Sequence, residues 1–187
     1  MKKALLFLFS IATISFATAQ NVNIETSTVN WVGTKITGSH SGTINLSAAD
    51  IKMDNGKLAG GSFTIDMNSL AVTDLQGGGA KKLAGHLMSD DFFGVEAHPT
   101  ATLVITDVAK AGLRSELTVT GDLTIKGETH SVSFPVEVTA EKATAKIKID
   151  RTKYGIKYGS GSFFDNLGDK AIDNMFELNV SLDLTSA

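Results

Sequence analysis

Apolar and polar residues alternate along much of the chain. Leu117, Val119, Leu123 and Ile125 recur at every second position with Gly121 in phase, and Thr118, Thr120, Asp122, Thr124 and Lys126 fall between them. The same period runs through Val132, Phe134, Val136 and Val138, then through Ala143, Ala145, Ile147 and Ile149. It returns in Phe176, Leu178, Val180, Leu182 and Leu184. Successive side chains of a strand point to opposite faces, so each run reads as a half-buried strand, apolar inward and polar outward. Less regular apolar runs predict earlier strands near Val29 to Ile36, Gly42 to Ile51, Leu58 to Met67 and Thr100 to Val108. Asp54-Asn55-Gly56 and Lys126-Gly127-Glu128 are turn signals that fit hairpins.

Two stretches break the alternation. Between Asp74 and Gly94, Leu83 and Leu87 stand four apart and predict a short helix with one buried face. The glycines before it, Gly77 to Gly79, read as a flexible connector, and the Phe92-Phe93 pair after it as a plug on one side of the β structure. From Tyr154 to Asn174 the chain is rich in glycine and carries Tyr158, Phe163 and Phe164. Both stretches are long for connections in a compact domain, and such loops are often functional. The chain is therefore all-β, with about eight strands. The pattern alone leaves open whether they close into a barrel or pack as a sandwich.

The first residues stand apart. Lys2 and Lys3 precede an apolar stretch from Ala4 to Phe16, and Ala17-Thr18-Ala19 sets small residues where signal peptidase cuts. Residues 1–19 are expected to be a signal peptide removed before Gln20, which leaves residues 20–187 as one domain in the periplasm or outside the cell. The apolar run is too short to span a bilayer, so no membrane span is expected. The chain has no cysteine, which excludes disulfides, thiol catalysis and thiolate metal sites. Its net charge is −3, and it becomes more acidic once the two lysines of the leader are lost. Without a basic run it offers no footprint for nucleic acid.

Catalytic chemistry is hard to assemble. The four histidines, His40, His86, His98 and His130, include no close pair and no His-Glu-x-x-His string, so no metal site is expected. Asp90-Asp91 and the spaced Asp165, Asp169 and Asp173 suit turns and a solvated face better than a shared cleft. No Gly-x-Ser-x-Gly elbow is present. The protein is therefore expected not to be an enzyme. The aromatic residues are more informative. Trp31, Phe63 and Phe134 fall in phase with apolar neighbours on their strands, and Phe92, Phe93, Tyr154, Tyr158, Phe163 and Phe164 occupy the irregular stretches. They suit either plain core packing or the wall of an apolar tunnel. His86 either bonds backbone at a helix–strand junction or meets a ligand at the pore. Arg151, directly after the third clean strand, either binds an anionic head group or fixes the following loop by binding carbonyls, and the structural role is the expected one.

Several strings point to a family. They are Trp31-Val32-Gly33-Thr34-Lys35, Gly38-Ser39-His40-Ser41-Gly42-Thr43 and Gly85-His86-Leu87-Met88-Ser89-Asp90-Asp91-Phe92-Phe93. After these come His98-Pro99-Thr100-Ala101-Thr102, Thr120-Gly121-Asp122-Leu123-Thr124-Ile125-Lys126-Gly127 and Ile149-Asp150-Arg151-Thr152-Lys153-Tyr154-Gly155-Ile156. In this order and spacing the chain resembles the YceI-like family of periplasmic polyisoprenoid-binding proteins. The resemblance implies an extended eight-stranded antiparallel lipocalin-like barrel with a short helical element. Its elongated apolar pore would hold an isoprenoid lipid, a quinone or a similar amphiphile, with no other cofactor. On that reading Trp31, Phe63, Ile65, His86, Phe92, Phe93, Leu117, Val119, Phe134, Tyr154, Phe163 and Phe164 are expected to line the pore. The alternative is a non-catalytic structural or interaction barrel of the cell envelope whose core is filled by its own side chains. The family barrel often pairs, and Pro135 marks an edge or a bulge, so a homodimer is expected.

Overall fold

The computed structural model describes residues 19–54, 57–111 and 116–185, with side chains from residue 21 onward. The strands are β1 (Ala19–Lys35), β2 (Gly38–Asp54), β3 (Lys57–Val72), β4 (Thr100–Lys110), β5 (Glu116–Ile125), β6 (Glu128–Val138), β7 (Lys142–Asp150) and β8 (Ile172–Thr185). They are antiparallel neighbours in chain order, and β8 returns to pair with β1, so the sheet closes into a barrel. Closure removes both sheet edges and decides between the barrel and the sandwich. The clean alternations hold: Val119, Leu123 and Ile125 of β5, and Phe134 and Val136 of β6, are buried inward. Lys126 (φ 52°) and Gly127 (φ 80°) join Ile125 to Glu128, and left-handed φ at both positions is the type I′ hairpin turn. The Asn55-Gly56 turn and the proposed leader, residues 1–18, lie outside the described residues.

Four of the register shifts in the ladder, all in β1 to β4, share one device. The ladder shifts register between Asn23 and Thr28, between Leu46 and Ala48, between Asp66 and Ala71, and between Ile105 and Asp107. A hydroxyl stands at each of these bulges. Ser27 Oγ donates to the Asn23 carbonyl at 2.6 Å and accepts the Asp183 N–H at 3.0 Å. Ser69 Oγ donates to the Asp66 carbonyl at 2.6 Å and accepts the Asn45 N–H at 2.7 Å. Ser47 and Thr106 donate across the ladder to Thr64 and Thr120 carbonyls, each at 3.3 Å. These side chains replace backbone bonds that the extra residues displace.

One end of the barrel carries nearly all of the described non-β structure. The helix α1 (Gly77–Met88) joins β3 to β4, and the long connection from β7 to β8 begins with a 3-10 turn at Arg151–Tyr154. The β1–β2 and β5–β6 turns lie at the same end by the antiparallel order. Gly77 to Gly79, expected as a connector, form the first turn of α1. The opening N–H groups of a helix need no intrahelical acceptor, and Gly77 takes φ 59° to turn the chain into it. No helix among the described residues is long and apolar enough to cross a membrane. On the barrel wall, β6 and β7 share only three residue pairs, Val136–Ala145 to Val138–Ala143. The ladder stops beside Pro135, which has no N–H to donate.

Candidate functional site

The barrel encloses a cavity of about 260 Å³. A single water needs roughly 10–15 Å³ on this scale, so the interior is not filled by its own side chains. The cavity runs from Met53, Leu58 and Leu184 at the far end to Lys35, Ile172 and Met175 at the helical end. Along β8 that is about 40 Å of strand at ~3.3 Å per residue, or about 30 Å along the axis for strands tilted ~40°. The wall is almost wholly hydrocarbon. At the helical end Thr34, Asp173 and Met175 both line the cavity and are exposed, so it meets solvent there. At the far end Ile51, Met53, Leu182 and Leu184 are buried.

Among the residues expected to line a pore, Trp31, Phe63, Ile65, His86, Phe92, Phe93, Val119 and Phe134 border this cavity. The remaining four do not, each for a local reason. Leu117 has inward parity but lies near the start of β5, opposite the cavity-lining Val136, and is half-buried without bordering the cavity itself. Tyr154 is buried in the 3-10 turn with its ring edge-on to His130, centroids 5.1 Å apart. Phe163 and Phe164 point outward from the β7–β8 connection, 47% and 50% exposed. The wall also includes Ile44, Leu46, Ile51 and Met53 of β2 and Met67 and Leu70 of β3. Their inward phase reverses within each strand, at the bulges, so alternation did not single them out.

The charged and histidine side chains on the cavity wall, Lys35, His40, His86, Arg151 and Asp173, sit at its open end. On α1, Leu83, His86 and Leu87 share the face turned to the barrel, as i, i+3, i+4 spacing requires. The His86 ring stacks edge-on against Tyr158 at 4.4 Å and Phe92 at 5.9 Å, and its buried Nε2 has no hydrogen-bond partner. An unpaired buried polar atom carries a desolvation cost that a ligand can relieve. Phe92 is held from both sides. Lys126 Nζ donates to the Phe92 carbonyl at 3.0 Å and to that of Asp90 at 2.6 Å. The Arg151 guanidinium lies 5.4 Å from the Phe92 ring centroid.

Arg151 is the centre of this end, and it works on the backbone. Its Nε donates to the Asp173 carbonyl at 2.9 Å, Nη1 to Ile156 at 3.0 Å and Tyr158 at 2.8 Å, and Nη2 to Ile172 at 3.1 Å. Burial lowers its pKa from the ordinary value, and nearby Asp150 and Asp173 oppose that shift. The β7–β8 connection is thereby stitched to the start of β8. On the opposite rim His40 Nδ1 meets Asp74 Oδ2 at 2.8 Å, and Asp74 also accepts the Ser41 N–H at 3.0 Å. The hydrogen bond from His40, then that from Ser41, holds the Asp74 carboxyl below its usual pKa. No cluster of metal-ligating side chains occurs among the described residues.

A model of the YceI-like domain matches residues 19–184. The chain belongs to the YceI-like family. A UPF0312 protein of Staphylococcus epidermidis is 39% identical over 84 residues, a match that spans 39% of this chain and 46% of the relative. This chain thus aligns with about half the length of its curated relative. Among solved structures, Burkholderia cenocepacia BcnA superposes with a TM-score of 0.71 at 26% identity, covering 88% of this chain and 100% of that one. A polyisoprenoid binding domain from Saccharophagus degradans, implicated in plant cell wall breakdown, gives a TM-score of 0.58 at 16% identity over 91% of this chain and 99% of its own. The Campylobacter jejuni YceI protein gives 0.56 at 17%, over 100% and 99%. These YceI-like neighbours share the closed eight-stranded antiparallel barrel.

Proposed function

We propose that this protein is a non-catalytic carrier that holds an isoprenoid-type lipid, or a similar amphiphile, lengthwise in its barrel. The observation that carries the reading is the continuous hydrocarbon-walled cavity, open at its helical end. A flexible apolar chain gains by leaving water for such a wall and loses no hydrogen bond in doing so. The volume weighs against a barrel that serves only as a scaffold. The ligand class follows the polyisoprenoid binding domain of S. degradans, whose barrel this one shares. At the open end Arg151 directs its hydrogen bonds to backbone carbonyls, while the His86 Nε2 is left unpaired. That arrangement favours a small uncharged polar end, such as a quinone ring, over a diphosphate.

The carrier acts in the periplasm or outside the cell, after removal of residues 1–19. Intact-mass measurement of the exported protein is expected to show an N-terminus at Gln20. Two copies pair along the wall marked by Pro135, and light scattering at micromolar concentration is expected to give a dimer mass. The decisive experiment is organic extraction and mass analysis of lipid from protein purified out of its own compartment. A reproducible prenyl species is expected. Protein that yields no lipid and takes up none would end the proposal.

A further inference from the structure

Seven large apolar side chains are exposed among the described residues, and five of them, Ile36, Tyr158, Phe163, Phe164 and Met175, ring the open end. Ile24 and Val104, on strand faces, are the other two. Hydrogen bonds tie the five into one rim. The Ile36 N–H donates to the Ala171 carbonyl at 3.3 Å, and the Phe163 and Phe164 N–H groups donate to Ser160 at 3.1 and 3.0 Å. Ser160, fully buried, donates from Oγ to Asn174 Oδ1 at 2.6 Å, one residue before Met175. Arg151 holds the Tyr158 carbonyl. The aromatic side chains are thus held outward on a braced loop.

We propose that this rim is a membrane-docking face that seats the mouth of the cavity on a lipid bilayer. The inference rests on the carrier reading, since a water-insoluble chain must reach the cavity from a bilayer. Two observations select a membrane over a protein partner. The exposed patch is continuous with the cavity mouth, because Met175 belongs to both. Its composition is that of an interfacial anchor, with aromatic rings beside lysines: Lys157 Nζ lies 5.0 Å from the Phe163 ring centroid. Lys35, Lys153, Lys157 and Lys170 are set against Asp165, Asp169 and Asp173 in the same region. The near-balance of charge makes attachment chiefly apolar and weakly dependent on anionic lipid.

Flotation of the mature protein with vesicles tests the proposal without any ligand. Vesicles of phosphatidylcholine alone, and of phosphatidylcholine with an equal part of phosphatidylglycerol, are expected to carry the wild type upward to similar extents. The double variant Phe163→Ser/Phe164→Ser is expected to lower the bound fraction by about tenfold or more, since two half-exposed rings lose their insertion. Trp31 is the sole tryptophan and lines the cavity. Its fluorescence response to farnesol is expected to be unchanged in the variant, which shows that the barrel still folds and fills. A wild type that stays with the protein fraction, or a folded double variant that floats as well as the wild type, overturns docking. So does a wild-type dimer that the same substitutions dissociate, because the face would then belong to a second copy. A wild type whose Trp31 ignores farnesol yet floats in a Phe163/Phe164-dependent way supports docking and sinks the carrier reading instead.

Discussion

At the scale of single residues, Tyr154 and Gly42 make separable predictions. The Tyr154 hydroxyl is buried without a hydrogen-bond partner, and burial, with Asp150 adding to it, raises its pKa from 10.0 to about 12. The unfolded chain therefore gives up this proton first. Stability is unaffected below pH 10 and falls as pH climbs toward 12, by the linkage of one proton. Tyr154→Phe is expected to leave the melting temperature at neutral pH unchanged or raised and to flatten the alkaline limb, read by thermal melts across that range. Gly42 is needed for space. A Cβ there would collide with the Ala71 carbonyl and fall 2.7 Å from the Trp31 ring, which itself donates from Nε1 to Ala71 at 3.2 Å. Gly42→Ala is expected to destabilise the barrel by about 1–3 kcal/mol, measured by denaturant unfolding, and to shift the Trp31 emission.

At the scale of elements, the second half of the chain was legible and the first half only in outline. Strands β5 to β8 alternate with almost no interruption, so Val119, Phe134, Ile147 and Leu182 could be placed inward from period two alone. In β2 the inward set passes from Ile44 and Leu46 to Ile51 and Met53, changing parity across the bulge near Ser47. One extra residue flips every later side chain to the other face, so a single alternation fitted through the whole strand averages the two phases away. At four of the breaks the trace is a Ser or Thr, since Ser27, Ser47, Ser69 and Thr106 each bond the backbone there. Ser69→Ala would leave the Asn45 N–H without its acceptor. Loss of about 1–2 kcal/mol is expected, with faster hydrogen exchange at Asn45 than at Ile44. The loop aromatics misled for another reason. Composition places Phe163 and Phe164 in a connection, but only the bracing by Ser160 and Asn174 decides that they face solvent.

At the scale of the whole molecule, the long strands, their bulges and the empty interior act together. Bulges lengthen and bend strands without opening the ladder, which suits a barrel that must be both closed and hollow. Val119, 1% exposed at mid-wall, is the place to test the hollow. Val119→Trp is expected to abolish binding of a long prenyl chain while the β-type circular dichroism and cooperative melting persist; overpacking should cost about 1–3 kcal/mol. Unchanged affinity in the folded variant would place the ligand outside the barrel. The arrangement of the two ends also has a consequence for traffic. With His86, Arg151 and the solvent-facing wall at one end, and buried Ile51, Met53 and Leu184 at the other, the cavity works as a scabbard. Under the proposed carrier function the hydrocarbon tip enters first and the polar hilt stays at the rim, so whatever receives the cargo would have to take hold of it by that same hilt.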